Sequence, residues 1–536
     1  AVLALALAGV ATANVFMHNP RGSNNRWSSA NDNVQNANRL FRSRNHPRGG
    51  YNYGEAMYYY TGSQLQVEWM QQHGCDQAAQ GYGAEEKTNC DVILQYMCGE
   101  HVRDGRSEQT ITQQNAMTME TVTDRNGDSA MVYSYGMHED WDYYNMCQMR
   151  DRNRGLWISD RTINGNSARY TRQNPTGQRY GFECPEERDY YPYWHPTPWR
   201  DIAIFTNNAD TRCQYYQAES QNVKGKGWCE GDMTANNPTD CAAGMWYTGM
   251  EWQLPAPECL PTQFSRANHL GNTIGGYPNR YTWTIPYVNP EIADACVLRI
   301  RYNVTTAEVD WNTDWEQNED VLITGNTYFL AKGLKSPVVR DPYIMFGANN
   351  NLSYAMDTTA YGITFQDRSH VFMIRERPAG VTNNIYNLNV RGKRGNIVET
   401  FPAVEYDFVP DVLTMKKHEW LHMQWTGTNE NTANAAGEGL DQTDRSNFVQ
   451  TEVLSDHYPS TFAPKNMMFH VQSEAVRFAF AGQTYEGSLC KSLTTLLSSN
   501  NNDNQVEEDT YNCMKMNLGS PYFDGGLLPM RYPGTF

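Results

Sequence analysis

VEYDFVPDVLTMKKHEWLHMQWTGT, residues 404–428, decides how this chain folds. It holds His418-Glu419-Trp420-Leu421-His422, the H-E-x-x-H of zinc proteases. On a helix, residues i and i+4 stack about 6 Å apart and both imidazoles reach one zinc ion. On a strand they share a face but stand roughly 13 Å apart, beyond the reach of a single metal. The alternation favours the strand. Leu421, Met423 and Trp425 form an apolar row, and Trp420, His422 and Gln424 form a mixed one. Upstream, Tyr406 and Phe408 alternate with Glu405 and Asp407 until Pro410, and Lys416-Lys417 reads as a turn. A helix from Asp411 would bury Lys416 beside Val412, Leu413 and Trp420, so pleated backbone is the expectation.

The competing zinc reading uses His418 and His422 as ligands, Glu419 as base and Glu452 as third ligand. Glu452-Val453-Leu454-Ser455-Asp456 supplies the E-x-x-x-D pattern of thermolysin-like enzymes, and Phe448, Val449 and Val453 have helical spacing around it. The longer metzincin motif is absent, because Trp425 stands where it needs glycine.

At 536 residues the chain has room for two to four domains. A net charge of −17 argues against nucleic acid or an anionic membrane as partner and permits cation binding. The richness in Tyr, Trp, Gly, Pro and Asn predicts short strands joined by turns, a mostly β protein. Residues 1–13, AVLALALAGVATA, read as the tail of a secretion signal ending in an A-x-A site, with the mature chain starting at Asn14. No segment is apolar enough to cross a membrane as a helix. Twelve cysteines without a C-x-x-C suit a secreted, disulfide-bonded protein; their pairing stays open, with Cys75, Cys90 and Cys98 placed to link neighbouring strands and Cys490 to pair with Cys513.

Three blocks follow: a Cys-rich β region at 14–261, a β-sandwich region at 262–391 that folds alone or as one unit with the first, and a third block at 392–536 whose last residues read as a strand cut short. In the first, Leu65, Val67 and Trp69 alternate. In the second, Val297, Arg299 and Arg301 alternate with Leu298, Ile300 and Tyr302, the pattern of half-buried antiparallel strands. Asp124, Asn126 and Asp128 make half of a calcium loop without its later glutamate, and the acidic loop at 310–320 is a second place for calcium. Asn303 and Asn351 stand in glycosylation sequons. Tyr190, Tyr191, Tyr193, Trp194 and Trp199 either form a sugar-stacking platform or pack a core.

HNPRGSNNR (18–26), GFECPEERDYYPYWHP (181–196), NHLGNTIGG (268–276), YTWTIP (281–286), CVLRIRYNVTT (296–306), TFQDRSHVF (364–372), VRGKRGNIV (390–398), YDFVP (406–410), HMQWTGTN (422–429), TDRSN (443–447) and PYFDGG (521–526) together resemble one family. It is the secreted eukaryotic family typified by the slime-mould developmental protein "DD three-three", which has no assigned enzymatic activity. The resemblance runs from His18 nearly to Phe536. It implies an extracellular protein that continues past Phe536, with a third block similar to a cupredoxin opened by Tyr406, Phe408 and Pro410. It also implies that His418-Glu419 occupies a turn position commonly held by Gly-Asp, which makes H-E-x-x-H an accident of this member.

A blue-copper site needs two His and a Cys near the last strand, yet Cys513 is followed by Met514 and Met516 and no histidine follows His470. A weaker resemblance to copper polysaccharide oxygenases through YTWTIP and CVLRIRYN requires an N-terminal His, whereas cleavage after Ala13 exposes Asn14 and leaves His18 inside. With no G-x-S-x-G, P-loop or dinucleotide fingerprint, no catalytic residue is assigned. The expectation is a set of tandem antiparallel β-sandwich domains, disulfide-rich and loop-rich at the N-terminal end and cupredoxin-like at the C-terminal end. As a protein it would be a secreted structural glycoprotein of the extracellular matrix, self-associating into a fibre or coat and carrying N-linked glycans or meeting extracellular polysaccharide. The alternatives are a zinc metalloprotease and a carbohydrate-binding protein. No cofactor is assigned; calcium is admissible, and zinc enters only with the protease.

Overall fold

A computed structural model of the chain describes residues 15–21, 56–71, 75, 88–99, 191–192, 196–207, 209–229, 238–239, 241, 244–265, 271–306, 344–346, 350–352, 363–369, 371–392, 406–426, 445–453, 455–456, 468, 471–481, 520–530 and 534–535. Strands dominate them. In chain order they are β1 (Val15–Asn19), β2 (Met57–Tyr60), β3 (Gln64–Gln71), β4 (Thr88–Cys98), β5 (Arg200–Thr206), β6 (Lys226–Cys229), β7 (Trp246–Gly249), β8 (Glu258–Pro261), β9 (Asn279–Thr284) and β10 (Cys296–Thr306). Then come β11 (Ile344–Phe346), β12 (Asn350–Leu352), β13 (Ile363–Arg368), β14 (Phe372–Arg375), β15 (Ile385–Gly392), β16 (Tyr406–Val409), β17 (Thr414–Met415), β18 (Trp420–Thr426), β19 (Tyr522–Pro529) and β20 (Gly534–Thr535). Helix α1 (Ala209–Glu219) precedes β6, and α2 (Gln472–Ala479) precedes β19.

Two seven-stranded sheets organise the molecule. The first runs β1-β3-β15-β18-β19, with β9 on β3 and β16 on β15; the second runs β2-β14-β10-β4-β5-β8, with β13 on β10. Most neighbours are antiparallel. Strands from distant parts of the chain also meet in parallel, as in β15 with β18, β2 with β14 and β5 with β8. The chain passes from the second sheet to the first in the few residues between β2 and β3, where Gly62 takes φ +74°, a conformation cheap only for glycine.

Period two places the core between the sheets. Val92, Leu94 and Tyr96 of β4 and Leu298, Ile300 and Tyr302 of β10 face Val15, Met17, Leu65, Val67 and Trp283 from the other sheet. A second core joins Leu388 and Val390 of β15, Met415, the Leu421-Met423-Trp425 row of β18, Phe523 and Phe478 of α2. The pleat expected for 420–426 is present. Its mixed row is buried too: His422 and Gln424 are fully covered, because β2 of the other sheet crosses that face and exchanges hydrogen bonds between Gln424 and the Tyr58 backbone.

The half-buried face expected for β10 is likewise fully buried. Arg299 lies over the Trp199 ring at 3.8 Å with both Nε and Nη2 on Gln95 Oε1, and Arg301 is 1% exposed. Four disulfides staple the described residues: Cys75–Cys90, Cys98–Cys296, Cys213–Cys259 and Cys229–Cys241. Cys98 and Cys296 are directly opposed in the β4–β10 ladder. Cys490 and Cys513 lie outside the described residues. Among the described residues, no helix is long and apolar enough to cross a membrane.

Candidate functional site

The turn from β17 to β18 puts the H-E-x-x-H residues to three different uses. His418 is exposed with φ +73°, a left-handed conformation that disfavours any side chain, and its N–H donates to Met530 O. Glu419 is buried and acts as a clasp. Its Oε2 accepts the Lys416 N–H at 2.6 Å, and its Oε1 accepts Asn384 Nδ2 at 2.9 Å. A carboxylate so engaged fixes the turn and is not aimed at a water beside a metal. His422 enters the covered face of β18.

The zinc reading therefore loses its geometry: one imidazole stands in solvent, the other is sealed inside, and the pair spans a turn and a strand. Glu452 fails as well. The expected helix around it is a bend, exposed at Glu452, in which Asp456 Oδ2 accepts the N–H groups of Glu452 and Val453. Phe448 has a packing reason for its apolar spacing, resting 5.1 Å from Phe408 and 6.3 Å from Phe478.

What gathers instead is a polar cluster where β2, β14, β15, β18 and β19 meet. His422 Nδ1 lies 2.9 Å from Asn387 Oδ1, and the amide orientation is fixed because Asn387 Nδ2 donates to Gln64 O and Ser63 Oγ, each at 2.9 Å. An amide oxygen only accepts, so the proton is on Nδ1 and the Nε2 lone pair is bare. Nε2 is buried without a hydrogen-bond partner and points towards Asp524 Oδ1, 4.0 Å away. The other oxygen of Asp524 accepts Tyr58 Oη–H at 2.8 Å. Tyr58 and Tyr60, two apart on β2 and so on one face, pack on the His422 ring at 4.7 and 5.1 Å between centroids. Arg375, exposed at the rim, covers Tyr58 at 3.7 Å.

Burial holds the His422 imidazole at about 4, below its ordinary 6.5; Asp524 opposes that shift and Arg375 adds to it. Burial, then the hydrogen bond that Tyr58 donates to Asp524 and the neighbouring Tyr60, push the Tyr58 phenol up.

The sequence reading missed Tyr58, Tyr60, Asn387, Arg375 and Asp524. The run of tyrosines in Met57-Tyr58-Tyr59-Tyr60 and the Asp in PYFDGG were the available signals, but neither says that β2 lies across β18.

Of the other expected sites, Trp199 is 1% exposed beneath Arg299 and offers no face to a sugar. Tyr191 gives its hydroxyl to Asp201 and meets Tyr216 edge-on. Tyr190, Tyr193, Trp194, the residues Asp124, Asn126 and Asp128, and the loop at 310–320 lie outside the described residues. Asn303 is half-buried in β10 opposite Asp91 and Thr364, and Asn351 sits in β12 opposite Met345.

Family comparison places two domains along this framework: the DD3-3 N-terminal domain matches residues 13–374 and the DD3-3 cupredoxin-like domain matches residues 383–536. The chain belongs to the DD3-3 family. Comparison with curated proteins and with solved structures gave no match. In DD3-3 terms, the His422 cluster straddles the two domains, with Tyr58 and Tyr60 from the N-terminal one and Asn387, His422 and Asp524 from the cupredoxin-like one. The first sheet is shared in the same way, since β3 of the N-terminal domain pairs with β15 of the cupredoxin-like domain.

Proposed function

We propose that this DD3-3 chain is a secreted structural glycoprotein that self-associates into an extracellular fibre or coat. The observation that carries this reading is how the most reactive-looking residues are spent: Glu419 clasps a turn and His422 joins two domains, so the H-E-x-x-H serves the scaffold. Four cross-strand and loop disulfides are compatible with an oxidising exterior. Within the first sheet, β19 ends the strand order and pairs only with β18 among the described residues, which leaves a lengthwise edge of the kind that adds strands.

A net charge of −17 opposes association at low salt, so the assembly is expected to need screening or divalent cations. Sedimentation velocity and negative-stain microscopy of the secreted chain, across ionic strength and with calcium, test this. Large ordered particles appearing as salt or calcium rises support it. Monodisperse monomers under every condition overturn it.

A further inference from the structure

We propose that Tyr58, Tyr60, His422 and Asp524 form a binding site for a trivalent hard metal ion, ferric iron, that clips the N-terminal domain to the cupredoxin-like domain.

The geometry around His422 carries the inference. Asn387 holds the ring so that the bare lone pair of Nε2 faces Asp524 Oδ1, an oxygen whose own hydrogen bond, from the Gly526 N–H at 2.8 Å, does not involve the imidazole. Two electron-rich groups facing each other across 4.0 Å are too far apart for a hydrogen bond and gain nothing from their approach. A cation between them changes the sign. Nitrogen and oxygen donors sit about 2.0–2.2 Å from a bound transition-type ion, so two donors on opposite sides of one ion are about 4 Å apart. The 2.8 Å between Tyr58 Oη and Asp524 Oδ2 suits adjacent donors on the same ion, and the Tyr60 ring stands edge-on to Tyr58 at 5.4 Å and 5.1 Å from the His422 ring, between centroids. The Asn387 contact is the outer hydrogen bond that metal-ligating histidines use to fix tautomer and direction. No group of three or more His, Cys, Asp or Glu side chains is placed to hold a metal among the described residues, but two of the four donors here are phenols.

The donor chemistry selects the ion. Three hard oxygens and one imidazole disfavour soft cations. A phenol gives up its proton near pH 10 in water, so ligation at neutral pH demands a strongly polarising ion. Uptake releases one proton from each phenol to solvent. Two phenolates and the Asp524 carboxylate then balance a 3+ charge and leave a neutral unit, which a largely buried site tolerates far better than a net ion. Asp524, one-third exposed, is the way in, and positions left open by the four donors would take solvent or a small anion near the exposed Arg375.

The test is titration of the full chain with ferric nitrilotriacetate, followed by gel filtration, iron analysis and visible spectroscopy. One iron per chain with a phenolate-to-iron charge-transfer band is expected, together with a raised melting temperature. Tyr58→Phe abolishes the band and Tyr60→Phe shifts and weakens it. Tyr281→Phe, which alters a phenol bonded to Glu258, leaves it unchanged. Each variant is first checked for an unchanged metal-free near-ultraviolet spectrum. If Tyr58→Phe does not fold, the half-buried Tyr60→Phe decides. Failure to retain iron, iron retained without the band, a band indifferent to both variants, or zinc retained in place of iron each overturns the proposal.

Discussion

His418 shows how a residue can look functional and be merely tolerated. Its φ of +73° is one that glycine adopts freely. His418→Gly is therefore expected to leave the melting temperature unchanged or to raise it, with a gain below about 1 kcal/mol once the extra freedom of the unfolded glycine is subtracted. A calorimetric scan checks it, and a loss of several degrees would contradict the strained-turn account. His422 behaves differently. Its metal-free pKa of about 4 lies below the ordinary 6.5, so the unfolded chain binds this proton more readily than the folded one. The neutral imidazole's contribution is complete above pH 6.5 and is lost as pH falls towards 4, at about 1.4 kcal/mol per unit of depression. In denaturant melts across pH 7 to 4, the stability of wild type relative to His422→Gln should be constant above pH 6.5 and fall only within that window, with Asp524 and Arg375 as the charged neighbours and Tyr58 and Tyr60 as the flanking phenols.

Strands were the legible part. Leu421, Met423 and Trp425 announced β18, and Leu298, Ile300 and Tyr302 announced β10, because alternation is a local property of the pleat. What covers the opposite rows was not legible: His422 and Arg299 read as half-solvated, yet β2 and Trp199 come from hundreds or scores of residues away to bury them. The spacing of Phe448, Val449 and Val453 suggested a helix for the same reason, since contacts with Phe408 and Phe478 ask for apolar residues whatever the backbone does. Packing of α2 on β19 gives a sharper prediction. A Cβ on Gly525 would stand 2.7 Å from Phe478 Cε1 and 3.0 Å from Met423 O. The carbonyl belongs to β18, paired on both sides by β15 and β19, and cannot retreat cheaply, so Gly525→Ala should destabilise by about 1–3 kcal/mol, measured by chemical denaturation. A neutral result would mean that α2 is free to shift.

At the level of the molecule, Cys98–Cys296 closes the longest covalent loop among the described disulfides, spanning 198 residues between strands already paired edge to edge. Removing it as a Cys98→Ser/Cys296→Ser double variant is expected to cost on the order of 2–5 kcal/mol while leaving the β-sheet spectrum of the folded fraction intact. Equilibrium unfolding compared with wild type measures it, and an unchanged midpoint would show that the β4–β10 ladder needs no clamp. Glycosidase digestion followed by mass spectrometry of the chain expressed through a eukaryotic secretory pathway should find glycan on a sequon asparagine, and unmodified peptides at both Asn303 and Asn351 would remove the glycoprotein part of the proposed function.

The pairing of β3 with β15, at Gln64 and Tyr386, means that one sheet takes strands from both domains. If the two halves parted with the linker between them intact, each would bare a raw flank, and each flank is complementary to the other half of any sibling molecule. Exchange of halves between siblings would close those flanks without a single new contact. An open series of such exchanges would have no intrinsic last member, so the bond that finishes one monomer is also the grammar of an endless chain.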